Sequence, residues 1–248
     1  GRIDEWLREG AAVVKTTKSK AWKGTKAHEF PTIIVSDRDE LRRQVLERVQ
    51  YIPVQVQQWV PGRGLGVELL AHQGEIVMSI AHERLHEVPL TGGGSSYRRT
   101  IPMPPELLAD AQKLARALAL DGVAMVEFRG DPKTGRHWLM EINVRFWGSL
   151  PLAIFAGADF PRALADKLVK GRLPTDPPPR TDVYARKIER DVYWMKLILK
   201  RRGKFSPYEL WQPLGKSLLE WGRVLTGREA WDGATLQDPA PFLREVKH

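Results

Sequence analysis

The sequence contains no cysteine. That absence removes disulfides, thiolate metal sites and thiol nucleophiles together, and it fits a reducing compartment, so the cytoplasm is the expected location. No apolar run approaches the roughly 20 residues that span a bilayer. The opening stretch GRIDEWLREG has no hydrophobic signal core either, so a soluble protein with no transmembrane segment is expected. A Gly-x-Ser-x-Gly elbow is missing, and the six histidines show no metal-ligand spacing. Nucleophilic catalysis therefore lacks its usual carriers. Repeats and low-complexity tracts are absent too.

What is present is ordinary globular material: 248 residues, 42% hydrophobic and 28% charged, enough for one large domain or two lobes. The formal net charge of +9 and a pI near 9.8 favour an anionic partner, whether a nucleotide, a nucleic acid or a membrane surface. The stretch VVKTTKSKAWKGTK concentrates Lys15, Lys18, Lys20, Lys23 and Lys26. Charge-run behaviour reads it as a solvated basic loop. Lys15 differs from the others because it ends the apolar run Ala11 to Val14 and so sits at a strand's end.

Residues 1–60 read as a short helix, the strand AAVVK, the basic loop, the strand TIIVS, a helix opened by Asp37 as its cap, and the strand PVQVQQWV. PGRG then breaks the chain, and LGVELLAHQGEIVMSIAHERLHEV reads as a hairpin turned at Gln73-Gly74. TGGGSS is a loop, PPELLADAQKLARALAL a helix with Pro105 near its start, and GVAMVEFRGDPKTGRHWLMEINVRF a second hairpin. A further helix runs through LADKLVKG. RLPTDPPPRTD is the clearest linker, since three consecutive prolines fit neither a helix interior nor a central strand. Beyond it a basic helix and a tryptophan-rich segment form an appendage, with four of the nine tryptophans expected to pack as a helical layer.

The second hairpin carries the chemical signal. In LMEINVRFWGS, Met140, Ile142, Val144 and Phe146 supply an apolar face, while Glu141, Asn143 and Arg145 share the other. Pairing about Thr134 sets Glu127 opposite Leu139 and brings Glu127 onto the same polar face. Two converging carboxylates repel unless a divalent cation lies between them. With the amide oxygen of Asn143 the set is all oxygen, which suits Mg²⁺. Arg145, one pleat further on, would reach a phosphoryl group with a planar fork of donors. The plainer reading is a solvated strand face with a Glu–Arg pair, and spacing does not choose between the two.

VAMVEF followed by LMEINVRFWGS resembles the paired metal-binding strands of the ATP-grasp superfamily, in its carbamoyl-phosphate-synthase-like or carboxylate–amine ligase branch. The resemblance implies that Glu127, Glu141 and Asn143 hold Mg²⁺, with Mn²⁺ as an alternative, and that Arg145 contacts phosphate or the acyl-phosphate intermediate. VVK at Val13–Lys15 is similar to the strand whose lysine meets the nucleotide α-phosphate, which makes Lys15 and Arg145 the expected catalytic pair. VQQWVPGRGLGVE looks like the hinge between lobes, implying nucleotide contacts at Gln57, Gln58, Trp59, Val60 and Glu68. HERLHEVPLTGGGSSYRR is similar to the segment closing the phosphate site and adds Arg84, and LQDPAPFL looks like a common C-terminal ending of such ligases.

The expectation is an α+β, ATP-grasp fold, with two α+β lobes clasping Mg-ATP. It assigns 1–60 to the small lobe, 61–173 to the large lobe with the metal site, and 174–248 to the Pro-rich linker and a C-terminal helical extension. The implied reaction activates a carboxylate as an acyl phosphate for attack by an amine or similar nucleophile, so ATP and small-molecule or peptide carboxylates and amines are the partners. Two departures stand out. Gly24 is the only glycine in the loop after Lys15, and the N-terminal pre-ATP-grasp domain is missing, which points to a fragment or an unusually short member; a missing N-terminal domain or a homo-oligomer stands as a further partner. The rival readings are a non-catalytic ATP-binding module, a basic nucleic-acid-binding protein, which lacks a recognised motif, and a helix docked on an anionic membrane.

Overall fold

The computed structural model describes residues 2–18, 20–23, 25–132, 134–175, 177–201, 204–223 and 229–232. These form two compact units, Gly1–Pro61 and Gly62–His248.

In the first unit, β1 (Ala12–Thr16) runs between β4 (Ile33–Val35) and β5 (Val54–Gln58), antiparallel to both. Alternation sends Ala12 and Val14 into a core with Leu41 of α2 (Arg38–Val49) and Leu7 of α1 (Arg2–Glu9). Val13 and Lys15 take the opposite face. Asp37 caps α2 as expected, its carboxylate accepting the Glu40 amide at 2.7 Å. The lysine-rich segment is not a loop. It forms β2 (Lys20–Lys23) and β3 (Lys26–Glu29), an antiparallel pair. Two contacts override the charge run: Lys20 Nζ lies 2.6 Å from its cross-strand partner Glu29, and His28 packs on Tyr51 with ring centroids 4.6 Å apart.

The second unit is built on a seven-stranded sheet. Its strands in chain order are β6 (Arg63–His72), β7 (Glu75–Val88), β8 (Gly94–Ile101), β9 (Gly122–Gly130), β10 (His137–Asn143), β11 (Tyr184–Arg186) and β12 (Glu229–Trp231). Their spatial order is β10-β9-β6-β7-β8-β11-β12. The β6–β7 hairpin turns at Gln73 and Gly74, both left-handed with φ 50° and 81°, as a two-residue turn requires. One face of the sheet buries Val67, Leu69, Val126 and Phe128 against Leu107, Ala111 and Ala115 of α3 (Pro105–Ala117). The other buries Leu70, Ile80, Val123 and Met125 against α4 (Leu150–Phe155) and α5 (Phe160–Lys170).

Beyond the prolines the chain is helical over α6 (Ile188–Arg201) and α7 (Leu214–Gly222), and it also gives two strands to the sheet. The segment is fastened on its way: the Arg180 amide donates to Ala156 O at 2.9 Å and the Asp182 amide to Thr100 O at 3.1 Å. Trp194 is buried with Leu90 and Ile198, so α6 spends those residues on the core and not on a membrane. LQDPAPFL, residues 236–243, and Gly24 lie outside the described residues.

What fixes α6 and α7 is a buried ionic cluster. His86 is wholly buried, stacked on Trp194 with ring centroids 3.6 Å apart. Its Nδ1 lies 2.7 Å from Asp191 and its Nε2 3.0 Å from Glu220. Arg186 joins Asp191 and reaches Glu229 at 2.6 Å. Burial pulls the Asp191 and Glu220 carboxyls upward. Hydrogen bonds from His86, with Arg186 beside Asp191 and Gln212 beside Glu220, outweigh it and hold both below their ordinary values of 3.8 and 4.5. The unfolded chain then binds more protons than the folded one across that acidic window. The stabilisation is complete above the ordinary values and is lost as pH falls through the folded ones. Asp191→Ala should cost about 3–5 kcal/mol in chemical denaturation at neutral pH, because it breaks a buried pair, taking one carboxylate from Arg186 and the Nδ1 partner from His86. The difference between natural and variant chains should shrink in acid.

Candidate functional site

On the α4/α5 face the sheet changes character along its strands. Leu70 and Ile80 are apolar under the helices, and the positions beyond them are Glu68, His82, Glu127, Arg84 and Arg129. Glycines make room for this. At Gly66 a Cβ would lie 2.2 Å from His82 Cε1, and at Gly64 one would lie 2.6 Å from Arg84 Cδ.

Glu127 and Glu141 are direct cross-strand partners on β9 and β10, and Asn143 pairs with Met125 two positions along. The expected register is corrected here: the turn already sets Leu139 opposite Phe128, not Glu127, and a bulge between Leu139 and Glu141 then moves the pairing one residue further, to Glu141 opposite Glu127. Past the bulge the two carboxylates are direct partners on one face. Asn143 Nδ2 donates to both, at 2.8 Å to Glu141 and 3.2 Å to Glu127. A donor thus sits where a cation would bridge, and a rotated amide would turn Oδ1 inward to complete three oxygen donors. Among the described residues no group of three or more His, Cys, Asp or Glu is placed to hold a metal ion by itself. A divalent ion would therefore draw the rest of its shell from water and substrate oxygens, which is how Mg²⁺ is usually held. The residues fit such an ion.

Arg145 is not one pleat further along, because β10 ends at Asn143. Val144 and Phe146 are exposed, and the apolar anchor is instead Trp147, buried edge-on to Phe160 with centroids 5.2 Å apart. Arg145 still lies beside the pair, donating to Phe146 O at 2.9 Å and to Asn143 Oδ1 at 3.4 Å. Arg84 donates to Glu127 at 2.5 Å and to Gly93 O at 2.9 Å. Glu68 faces inward: only 1% exposed, it accepts the Ser149 hydroxyl at 2.6 Å. His82 Nδ1 lies 3.0 Å from the same carboxylate but off its donor axis, without a hydrogen bond. In the first unit, Lys15 pairs with Gln55 and Val13 with Gln57, so Lys15 and Gln57 share the face away from the helices. Gln58 donates to Glu9 at 3.1 Å, and the Trp59 amide is bonded to Ala11 O at 3.0 Å, next to Val60.

Two residues escaped the sequence reading. Glu87 is buried, its oxygens accepting the amides of Gly64 at 3.1 Å and Gly93 at 3.0 Å. Arg129 donates from Nε to Gly62 O at 3.0 Å, while its enclosed Nη2 has no partner. Burial lowers the Arg129 guanidinium from its ordinary value; Glu87 opposes that shift and Arg84 adds to it. Position offered the only signal, since Arg129 follows Glu127 by one strand repeat.

Residues 52–191 match the family described as ATP-grasp in the biosynthetic pathway with Ter operon, and the chain belongs to this ATP-grasp family. A D-alanine–D-alanine ligase of Acidiphilium cryptum is 31% identical over 121 residues, which is 44% of this chain and 40% of that protein. The chain thus spans well under half the length of this curated relative. Among solved structures, the biotin carboxylase of Campylobacter jejuni in complex with β,γ-ATP superposes with a TM-score of 0.52 at 14% identity, covering 70% of this chain and 40% of that one. The biotin carboxylase domain of Hydrogenobacter thermophilus 2-oxoglutarate carboxylase, in complex with MgADP, ADP and bicarbonate, gives 0.51 at 14% identity, covering 73% and 43%. These likenesses establish the fold, which is α+β.

Ser149→Ala should lower stability by about 1–3 kcal/mol in urea unfolding, since it leaves a buried carboxylate short of a donor. An unchanged midpoint would show that the Glu68–Ser149 bond is dispensable.

Proposed function

We propose that the chain is part of an ATP- and Mg²⁺-dependent ligase that activates a carboxylate for attack by an amine or a similar nucleophile. The observation that carries this reading is the facing pair Glu127 and Glu141 with Asn143 between them, on the strand pair of an ATP-grasp chain. The relative that names a D-alanine–D-alanine ligase supports the carboxylate–amine class.

In this reading a carboxylate oxygen of the substrate attacks the γ-phosphorus of ATP, the bond to the bridging oxygen breaks, and ADP leaves. The nucleophile then adds to the acyl carbon and phosphate departs. Mg²⁺, held by Glu127, Glu141 and the Asn143 oxygen, would offset charge on the phosphates. Arg145 would offer its planar fork to the phosphoryl oxygens, and Lys15 a compact charge to the nucleotide. Arg84 would exchange its bond to Glu127 for a phosphoryl oxygen. The backbone at Gln57 to Val60 would take the base. Phosphoryl transfer asks little more of a protein than such positioning and charge compensation.

Calorimetric titration of ATP with and without Mg²⁺, on the natural chain and on Glu141→Ala, tests this. Magnesium-dependent binding weakened about tenfold or more by the substitution is expected, since a carboxylate ligand is worth several kcal/mol of charge stabilisation. Equal binding by both chains would place the cation elsewhere. Release of ADP with candidate carboxylates separates a ligase from a module that binds ATP without turnover.

A further inference from the structure

Resting on the nucleotide-binding reading, we propose that Arg129 is an anion-binding residue of this site, whose free guanidinium edge takes a phosphoryl oxygen of the nucleotide beside Arg84. The argument begins with charge. A buried guanidinium without a counter-ion is costly, and three other arginines enclosed in this unit observe the rule. Arg84 has Glu127 at 2.5 Å, Arg98 has Asp232 at 2.5 Å and Arg186 has Glu229 at 2.6 Å. Arg129 has only the neutral carbonyl of Gly62, through Nε. Its Nη2 is enclosed and unpartnered.

The nearest candidate counter-charge is diverted. Both oxygens of Glu87 are occupied by backbone amides, those of Gly64 and Gly93. That leaves Glu87 acting on Arg129 through space, without a bond. The surroundings also spare the guanidinium a side-chain cover. Gly92, at φ 111°, lies against it so closely that a Cβ there would meet Nη1 at 2.6 Å. Gly64, the cross-strand partner of Arg129, has no side chain to intervene between Arg129 and Arg84. The result is two guanidinium groups on one face of the sheet with a donor edge left over, one strand repeat from Glu127. A tetrahedral oxyanion satisfies such an edge with short charge-assisted hydrogen bonds. Among ligands of a chain that binds ATP, the phosphoryl oxygens have that chemistry.

The test compares ATP with adenosine, which shares the base and sugar but has no phosphate. Both are titrated calorimetrically against the natural chain, Arg129→Gln and Arg129→Lys, with thermal melts to confirm folding. The expected result is an ATP affinity lowered about ten- to a hundredfold by Arg129→Gln, adenosine affinity unchanged, and partial retention by lysine, which keeps the charge without the fork. Gly92→Ala is an independent variant that removes no polar group but crowds Nη1 and strains the backbone at φ 111°. It should weaken ATP in preference to adenosine, and it carries the test if Arg129→Gln fails to fold. Unchanged ATP binding in folded Arg129→Gln overturns the proposal while leaving the nucleotide reading intact. Equal losses for ATP and adenosine also overturn it, making Arg129 a peg for the Gly62 carbonyl. A natural chain that binds no nucleotide at all would overturn the broader reading and this proposal with it.

Discussion

Two carboxylates that face each other across β9 and β10 set the terms for the rest of the site. Like charges directly opposed in a sheet destabilise it, so Glu127 and Glu141 require compensation wherever they are found together. Here it comes from two donors, the Asn143 amide lying on both and the Arg84 guanidinium on Glu127. Arg84 belongs to β7, and β6 lies between that strand and β9. It crosses β6 because Gly64 has no side chain in its path. Having crossed, it holds Gly93 O with its other nitrogen, and Glu87 holds the Gly93 amide. The glycine loop is thus positioned by the same charge requirement that begins with the glutamates.

Much of this was legible in the sequence, and the exceptions have identifiable causes. Both hairpins, the Asp37 cap and the convergence of Glu127, Glu141 and Asn143 follow from alternation and turn chemistry. The bulge between Leu139 and Glu141 left no trace in alternation, because its one-residue shift added to another at the turn, so the partner of Glu127 moved by two residues and kept the face. The end of β10 was invisible for a related reason: Val144 and Phe146 continue an apolar pattern that no core receives, and Trp147 supplies the contact. The lysine segment concealed a strand pair, because opposite charges across a ladder look, in one dimension, like a charge run. Glu68 reads as a ligand in sequence and is buried in the structure, bonded to a serine 81 residues away that no local pattern could assign to it.

The segment beyond the prolines shows how far burial of charge can direct a chain. Three prolines forbid regular structure, yet the backbone on their far side is caught by Ala156 and Thr100 and enters the sheet as β11. From there Arg186 is carried into the interior, where Asp191 and Glu229 must follow. Asp191 in turn engages His86, and His86 stacks on Trp194. A linker read from composition alone would permit movement. Buried ions that are satisfied only in one arrangement oppose it, since parting them would cost several kcal/mol for each stranded charge.

The same logic explains how an exposed residue can be well placed. Arg145 lies outside the strand and its side chain is exposed, so pleat geometry does not aim it. Two residues earlier the chain is held by Asn143, whose amide is committed to both carboxylates. Two residues later Trp147 is sunk into the core, and Ser149 follows with its bond to the buried Glu68. Between these anchors few backbone paths remain, and Arg145 spends one donor on its neighbour Phe146 and a long contact on Asn143. Its remaining donors face outward beside the carboxylates. Glu68 therefore acts on the site without reaching it: by holding Ser149 it limits where the guanidinium of Arg145 can go.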